Sequence, residues 1–161
     1  MRRMRLFLSM DLTTKLLLGE AFIELGVARV MKLIPFSKLS PHLGCHMEET
    51  SFIHGVNDRK ALKNISNAVN IVSQYTFWES QCLVKAIAAM RMLKRRKIGS
   101  TLYLGTGRDE KGLLIAHAWL RSGSFYLTGA EGMENFTVVG KFAKHCTLTN
   151  EGESIDKRYQ S

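Results

Sequence analysis

The stretch "SQCLVKAIAAMRMLKRRKIGSTLYLGTG", residues 80–107, contains the change of period on which the fold prediction depends. From Ser80 to about Lys97, alanine, leucine, isoleucine and methionine run almost all round a helix, a pattern typical of a helix buried on every side. We expect Gly99 to end this helix, after which the apolar residues follow the period of a strand. The stretch therefore predicts a buried helix that leads into a sheet.

Two further helices are predicted before this stretch. Apolar residues recur at helical spacing from about Asp11 to Leu33, and a second run extends from Asn57 or Asp58 to about Val72. Both prolines lie in "IPFSKLSP", residues 34–41, which is expected to stop the first helix. The polar segment "PHLGCHMEETSFIHG", residues 41–55, reads as a loop.

Strand signals follow Gly99. The segments "STLYLGTG", "KGLLIAHAWLRSG" and "SFYLTGAEG" predict three strands, with "GTGRDEKG" and "RSGS" as turns. We expect "FTVVGKFAKH", residues 136–145, to form a short closing helix. Helices followed by strands predict an α+β fold, in which a small antiparallel sheet packs on the cysteine-bearing helix.

The length of 161 residues predicts one catalytic domain over residues 1–148, with a helical part at 1–75, a core at 76–148 and a polar tail at 149–161. The composition is 45% hydrophobic and 23% charged, as in ordinary globular proteins, so no membrane association is expected. The N-terminus begins like a secretory signal, but Asp11 and Lys15 interrupt its apolar run. The odd count of three cysteines, Cys45, Cys82 and Cys146, favours free thiols and a cytoplasmic location.

The net charge of +9 arises largely from two clusters, Arg2 with Arg3 and Arg5, and "KRRK" at residues 94–97. A solvated helix end explains such a run most simply, and the alternatives are an acidic partner or nucleic acid. No basic stretch is interleaved with aromatic residues, so nucleic-acid binding is not expected.

One loop carries several potential metal ligands, but their spacing lacks a second well-formed pair. We therefore expect an ordinary loop, no metal and no cofactor. The residues concerned are His42, Cys45, His46, Glu48, Glu49 and His54.

Cys82 and His117 are the candidates for chemistry. Cys82 stands near the start of the buried helix, where unpaired N–H groups favour a thiolate. His117 lies in a strand expected to pack on that helix, flanked by alanines and on the same side as Trp119. The alternative is a purely structural role, with Cys82 as a small buried side chain and His117 as a core histidine whose hydrogen bonds are formed within the protein. A third group that orients the imidazole is also needed, and Glu131 and Glu134 are available on the next predicted strand.

The segment from Cys82 to Phe142 resembles the transglutaminase-like cysteine proteases of lasso peptide maturation. The shared pattern is a helix that begins near "CL..A", a basic helix end with a glycine, a strand, "AHAW", a glycine turn and a further strand. The resemblance implies a papain-like core with Cys82 as nucleophile and His117 as general base. The family's third residue is an aspartate, whereas this chain has "LTGAEG", which makes Glu131 the first candidate and Glu134 the second.

The implied activity is removal of the leader from a ribosomally synthesised precursor through a thioester. The implied partners are the precursor peptide, a separate leader-recognition protein and an ATP-dependent lasso cyclase. Donors for the oxyanion are expected from the Cys82 backbone N–H, with Gln81 or the Trp78 indole as further candidates. Two alternatives remain open, a non-catalytic basic adaptor and a transglutaminase-like acyl transferase.

Overall fold

The computed structural model describes residues 11–53, 58–78 and 80–145, which form four α-helices and one five-stranded antiparallel sheet. The sheet order is β1-β5-β2-β3-β4. The predicted α+β fold is confirmed. The helices are α1 (Leu12–Met31), α2 (Phe36–Leu43), α3 (Asp58–Ser73) and α4 (Cys82–Arg95), and the strands are β1 (Cys45–His46), β2 (Ser100–Arg108), β3 (Leu114–Ser122), β4 (Phe125–Thr128) and β5 (Thr137–Lys144).

Helix α4 is the centre of the core. It packs against α1, α3 and strands β2, β3 and β4, and buried side chains occur on all sides of it, as predicted. The C-terminal end differs from the prediction, because Lys97 takes the left-handed conformation (φ 55°) that we expected of Gly99. The buried residues of α4 are Val84, Ala86, Ile87, Ala88, Ala89, Met90, Met92 and Leu93.

Ion pairs join α4 to α1. Glu24 of α1 is fully buried, and its two carboxylate oxygens lie 2.5 Å from Arg91 Nε and from Arg95 Nη2. Arg96 forms a second, more exposed pair with Glu20. Part of the predicted basic run therefore pairs with carboxylates of α1 and is not simply a solvated helix end.

The sheet has two faces with different neighbours. Leu102 and Leu104 of β2 lie opposite Leu120 and Ala118 of β3, and all four side chains pack in the helical core. Because side chains alternate along a strand, residues 103, 105, 117, 119 and 121 point to the other face, which we call the outer face.

Arg121 organises the outer face. It is fully buried and donates hydrogen bonds to the Tyr103 hydroxyl at 2.8 Å and to the carbonyls of Thr50 and Gly123. Its guanidinium also lies 3.7 Å from the centre of the Phe52 ring. A buried charge needs such partners, so Arg121 fastens the segment after β1 onto the sheet.

One prediction of local structure was wrong, and two segments contain elements that were not predicted. Most of the predicted closing helix at residues 136–145 is strand β5 (Thr137–Lys144), which lies inside the sheet between β1 and β2. The proline-containing stretch contains helix α2, which starts after Pro35 and includes Pro41. Within the predicted loop, Cys45 and His46 form β1 and pair with Ala143 and Phe142.

Several predictions fall on residues outside the described ranges, namely the polar tail at 149–161, the N-terminal arginines, His54 and Cys146. Among the residues that the structure describes, no helix is long and apolar enough to span a membrane.

Replacing Glu24 by glutamine should lower the free energy of unfolding by about 2 kcal/mol, because a buried charged hydrogen-bond acceptor is lost while two arginines remain. The matched variant Glu20→Gln removes the more exposed pair and should cost less than about 1 kcal/mol. Urea unfolding followed by circular dichroism measures both. Equal losses in the two variants would contradict a special role for Glu24.

Glu49 should make stability depend on pH. A hydrogen bond from Lys141 (2.6 Å) holds the pKa of Glu49 below its usual value, assisted by Tyr103 and Arg121 and opposed by partial burial. A lowered folded-state pKa stabilises the protein above the unfolded pKa of about 4.3, and this contribution is lost as the pH falls. Unfolding experiments should therefore show that the protein exceeds Glu49→Gln in stability more at pH 6 than at pH 3. A constant difference would refute this.

Candidate active site

Cys82 is the first residue of α4, which begins two residues after the predicted start at Ser80. Its neighbour Gln81 is the N-cap in an extended conformation and makes no side-chain capping bond, while its Oε1 accepts a hydrogen bond from Lys32 Nζ at 3.2 Å. The thiol is free and half-buried, and it packs on the helical core. N–H groups in the first turn of a helix have no intrahelical acceptor, so they can donate hydrogen bonds to an oxyanion bound at this position.

The Trp78 indole was a candidate oxyanion donor, but its position does not suit that role. Its ring packs on Phe22 and Phe77, with ring centres 5.2 and 4.5 Å away. The indole Nε1 is buried and has no hydrogen-bond partner within the described ranges. A nitrogen without accessible surface does not meet a substrate, so the backbone N–H groups at Cys82 are the better oxyanion donors in this arrangement.

His117 is oriented by the main chain. Its Nε2 lies 2.9 Å from the carbonyl oxygen of Gly129, just beyond the end of β4. A carbonyl oxygen only accepts, so Nε2 carries the proton and Nδ1 of the neutral ring holds the lone pair. An imidazole with one nitrogen fixed in this way is a base at its other nitrogen, the arrangement required of the second member of a catalytic pair.

Aromatic rings surround His117 on the outer face. The ring lies 4.9 Å from the Phe136 ring and 5.8 Å from that of Trp119, which in turn stacks on Tyr103 at 5.6 Å. Gly105, directly opposite His117, makes this packing possible, since a β-carbon there would lie 2.8 Å from the Trp119 ring. Because side chains alternate along a strand, the sequence predicted that His117 and Trp119 point to the same side of β3.

The two side chains are not joined in the structure. The thiol packs with the helical core, whereas the imidazole leaves β3 on the outer face and is hydrogen-bonded to Gly129. Pairing between β3 and β4 ends at Leu120 with Thr128, so His117 lies beyond the last paired residue, beside the turn at Gly129. The turn residue Gly129 has a positive φ of 69°.

The carboxylates considered as third members are both exposed. Glu131 and Glu134 follow the Gly129 turn, and the hydrogen bond of the His117 ring goes to the Gly129 carbonyl instead. Sequence reasoning missed Gly129 because a carbonyl group is common to all residues. The only available signal was a glycine at the end of the strand that follows "AHAW".

The loop with potential metal ligands has structural contacts. The His46 ring packs 5.2 Å from Phe142, Glu48 lies 3.1 Å from His145, and Glu49 binds Lys141 and Arg121. In the chain as far as the structure describes it, no group of three or more histidine, cysteine, aspartate or glutamate side chains could hold a metal ion.

Comparison with protein families gives one match. A model described as the transglutaminase-like superfamily matches residues 25–141, which includes Cys82, His117, Gly129 and Glu131. Comparisons with curated proteins and with solved structures gave no match. The matched region begins in α1, so the family's domain includes the helical half as well as the sheet. Domains of this superfamily are typically cysteine hydrolases or acyltransferases. The chain belongs to the transglutaminase-like superfamily.

Proposed function

We propose that this protein is a cysteine peptidase that removes the leader from a ribosomally synthesised lasso peptide precursor. The observation that carries the proposal is the position of Cys82, a half-buried thiol at the first residue of a buried helix, in a domain of this superfamily. His117, with Nδ1 free of its proton, is the proposed base.

The proposed reaction has two steps. The thiol proton passes to His117, sulfur attacks the carbonyl carbon at the junction of leader and core, and the C–N bond breaks as His117 protonates the leaving amine. Water then attacks the thioester, His117 takes its proton, and the C–S bond breaks to release the leader as a carboxylic acid. The N–H groups at the start of α4 stabilise each oxyanion.

The pair must come together for this chemistry. Catalytic hydrogen bonds are often long in free enzymes and shorten only when substrate is bound. His117 lies beyond the residues at which β3 pairs with β4, and its ring borders a glycine-containing turn. It remains paired with Gly105 of β2 and its ring lies on the outer face, so the two groups can meet only if this part of β3 rearranges. We propose that substrate binding at the first turn of α4 brings the imidazole to the thiol.

The substrate class rests on the resemblance of residues 82–142 to leader peptidases of lasso peptide maturation. The proposed partners are a separate leader-recognition protein, which delivers the precursor, and an ATP-dependent cyclase, which closes the ring on the freed amine. The net charge of +9 suits an acidic leader or adaptor, and we place the reaction in the cytoplasm.

Replacing Cys82 by alanine should reduce precursor cleavage by about 10⁴-fold, and His117→Ala should do the same, because the two groups act as one unit. Both proteins should remain folded by circular dichroism. A synthetic lasso peptide precursor is the substrate, and mass spectrometry identifies the products.

The matched control is Cys45→Ala, which removes an exposed thiol in β1 and should leave the rate unchanged. Unchanged cleavage by Cys82→Ala would contradict the proposal and leave the non-catalytic adaptor. Adding hydroxylamine tests acyl transfer, since a hydroxamate formed faster than the acid would identify an acyltransferase.

The third member of the site can be tested separately. If the Gly129 carbonyl orients His117, Glu131→Ala should cleave precursor within about threefold of the unaltered protein. The ¹⁵N NMR spectrum of this variant should still show that the proton of the His117 ring is on Nε2. A loss of about 10²-fold or more, together with a change of tautomer, would instead assign the third position to Glu131.

A further inference from the structure

An apolar groove lies on α1 close to the start of α4. Its volume is about 400 Å³, and its walls include Phe22, Ile23, Gly26, Val30 and Met31 from α1 and Trp78 from the segment before α4. Ile23 and Val30 are 62% and 63% exposed, so much of their apolar surface is in contact with solvent. Such a surface marks a binding site when it is continuous and borders polar groups.

The walls of the groove are linked to the start of α4. Trp78, which forms one wall, precedes Cys82 by four residues and packs against the same core. At the other wall, Met31 is followed by Lys32, whose ammonium donates to the side chain of Gln81, the N-cap of α4. A peptide in the groove would therefore leave it beside the thiol.

One basic residue, Arg29, lies on α1 beside the groove. Arg29 lies three residues after Gly26 and seven after Phe22, on the same face of α1. Arg29 forms no ion pair with any residue in the described ranges, in contrast to Arg91, Arg95 and Arg96. This position is thus complementary to an acidic residue beside an apolar one.

We infer that this groove binds an apolar side chain of the substrate peptide near the cleaved bond, with Arg29 binding an adjacent acidic residue. The inference rests on the proposed function, because it makes the groove a specificity site of the same peptidase. Gly26 lines the groove, and a β-carbon there would lie 3.7 Å from the Trp78 ring, in ordinary contact, so a larger side chain at this position would extend into the groove.

The test measures binding without cleavage. In protein carrying Cys82→Ala, a fluorescein-labelled peptide with two leucines between glutamates should bind at least tenfold tighter than the same peptide with two serines, by fluorescence anisotropy. Gly26→Leu fills the groove and should remove this preference. The matched control is Gly19→Leu in the same helix, where a β-carbon meets nothing within 4 Å, and it should bind as the parent does.

Equal binding of the two peptides, or a leucine preference that survives Gly26→Leu, would overturn the inference. The inference would also be overturned if the parent protein sedimented as a dimer and the Gly26→Leu protein as a monomer. That result would show that a second copy of the chain covers the groove. If Gly26→Leu is unfolded by circular dichroism, Val30→Asp provides the same test. Leucine-dependent binding without cleavage by the protein with Cys82 intact would refute only the proposed peptidase activity.

Discussion

The burial of α4 between two helices and a sheet is the constraint on which the structure depends. Its apolar side chains face α1, α3 and three strands, so the helix has no freedom to rotate or slide without exposing them. The buried carboxylate of Glu24 adds a fixed contact through Arg91 and Arg95. Cys82 begins this helix, and its position is therefore set by the whole core and not by a local loop. A reactive group held by a rigid element suits catalysis, because the cost of ordering it has been met in folding.

The outer face of the sheet is a second layer with a different chemistry. Arg121, Tyr103 and Glu49 form a buried polar network that fastens the segment after β1, and the rings of Trp119 and Phe136 surround His117 beside it. The imidazole thus belongs to a layer whose contacts are independent of the core around α4. If Cys82 and His117 form one site, as we propose, a ligand must bring the two side chains together. A peptide bound at the first turn of α4 would be that ligand.

The pattern of apolar residues predicted much of this architecture. Apolar residues recur at helical spacing in α1 and α3, they occur on all sides of α4, and they follow the spacing of strands in β2 to β4. The prediction was wrong for β5 because Val139 is an extra residue between Val138 and Gly140, which pair with Gly105 and Leu104. Such a bulge disrupts the alternation that identifies a strand. Cys82 and His117 were proposed from residue type and position, and they lie within the range that the family model matches. The partner of His117 was not found, because the Gly129 carbonyl has no side-chain signature. Arg121 reads as a surface charge in the sequence, yet its burial depends on partners from the distant segment at residues 49–52.

The pairing of Cys82 with His117 is the central claim, and alkylation of each cysteine by iodoacetamide at pH 7, resolved by mass spectrometry of the peptides, tests it most directly. Cys45 is an exposed thiol in the same molecule and serves as the reference. With a bound peptide that ends before the carbonyl of the cleaved bond, so that the sulfur stays accessible, half-buried Cys82 should react at least tenfold faster than Cys45, and His117→Ala should remove the difference. A Cys82 that reacts more slowly than Cys45 in both proteins would contradict a catalytic pair.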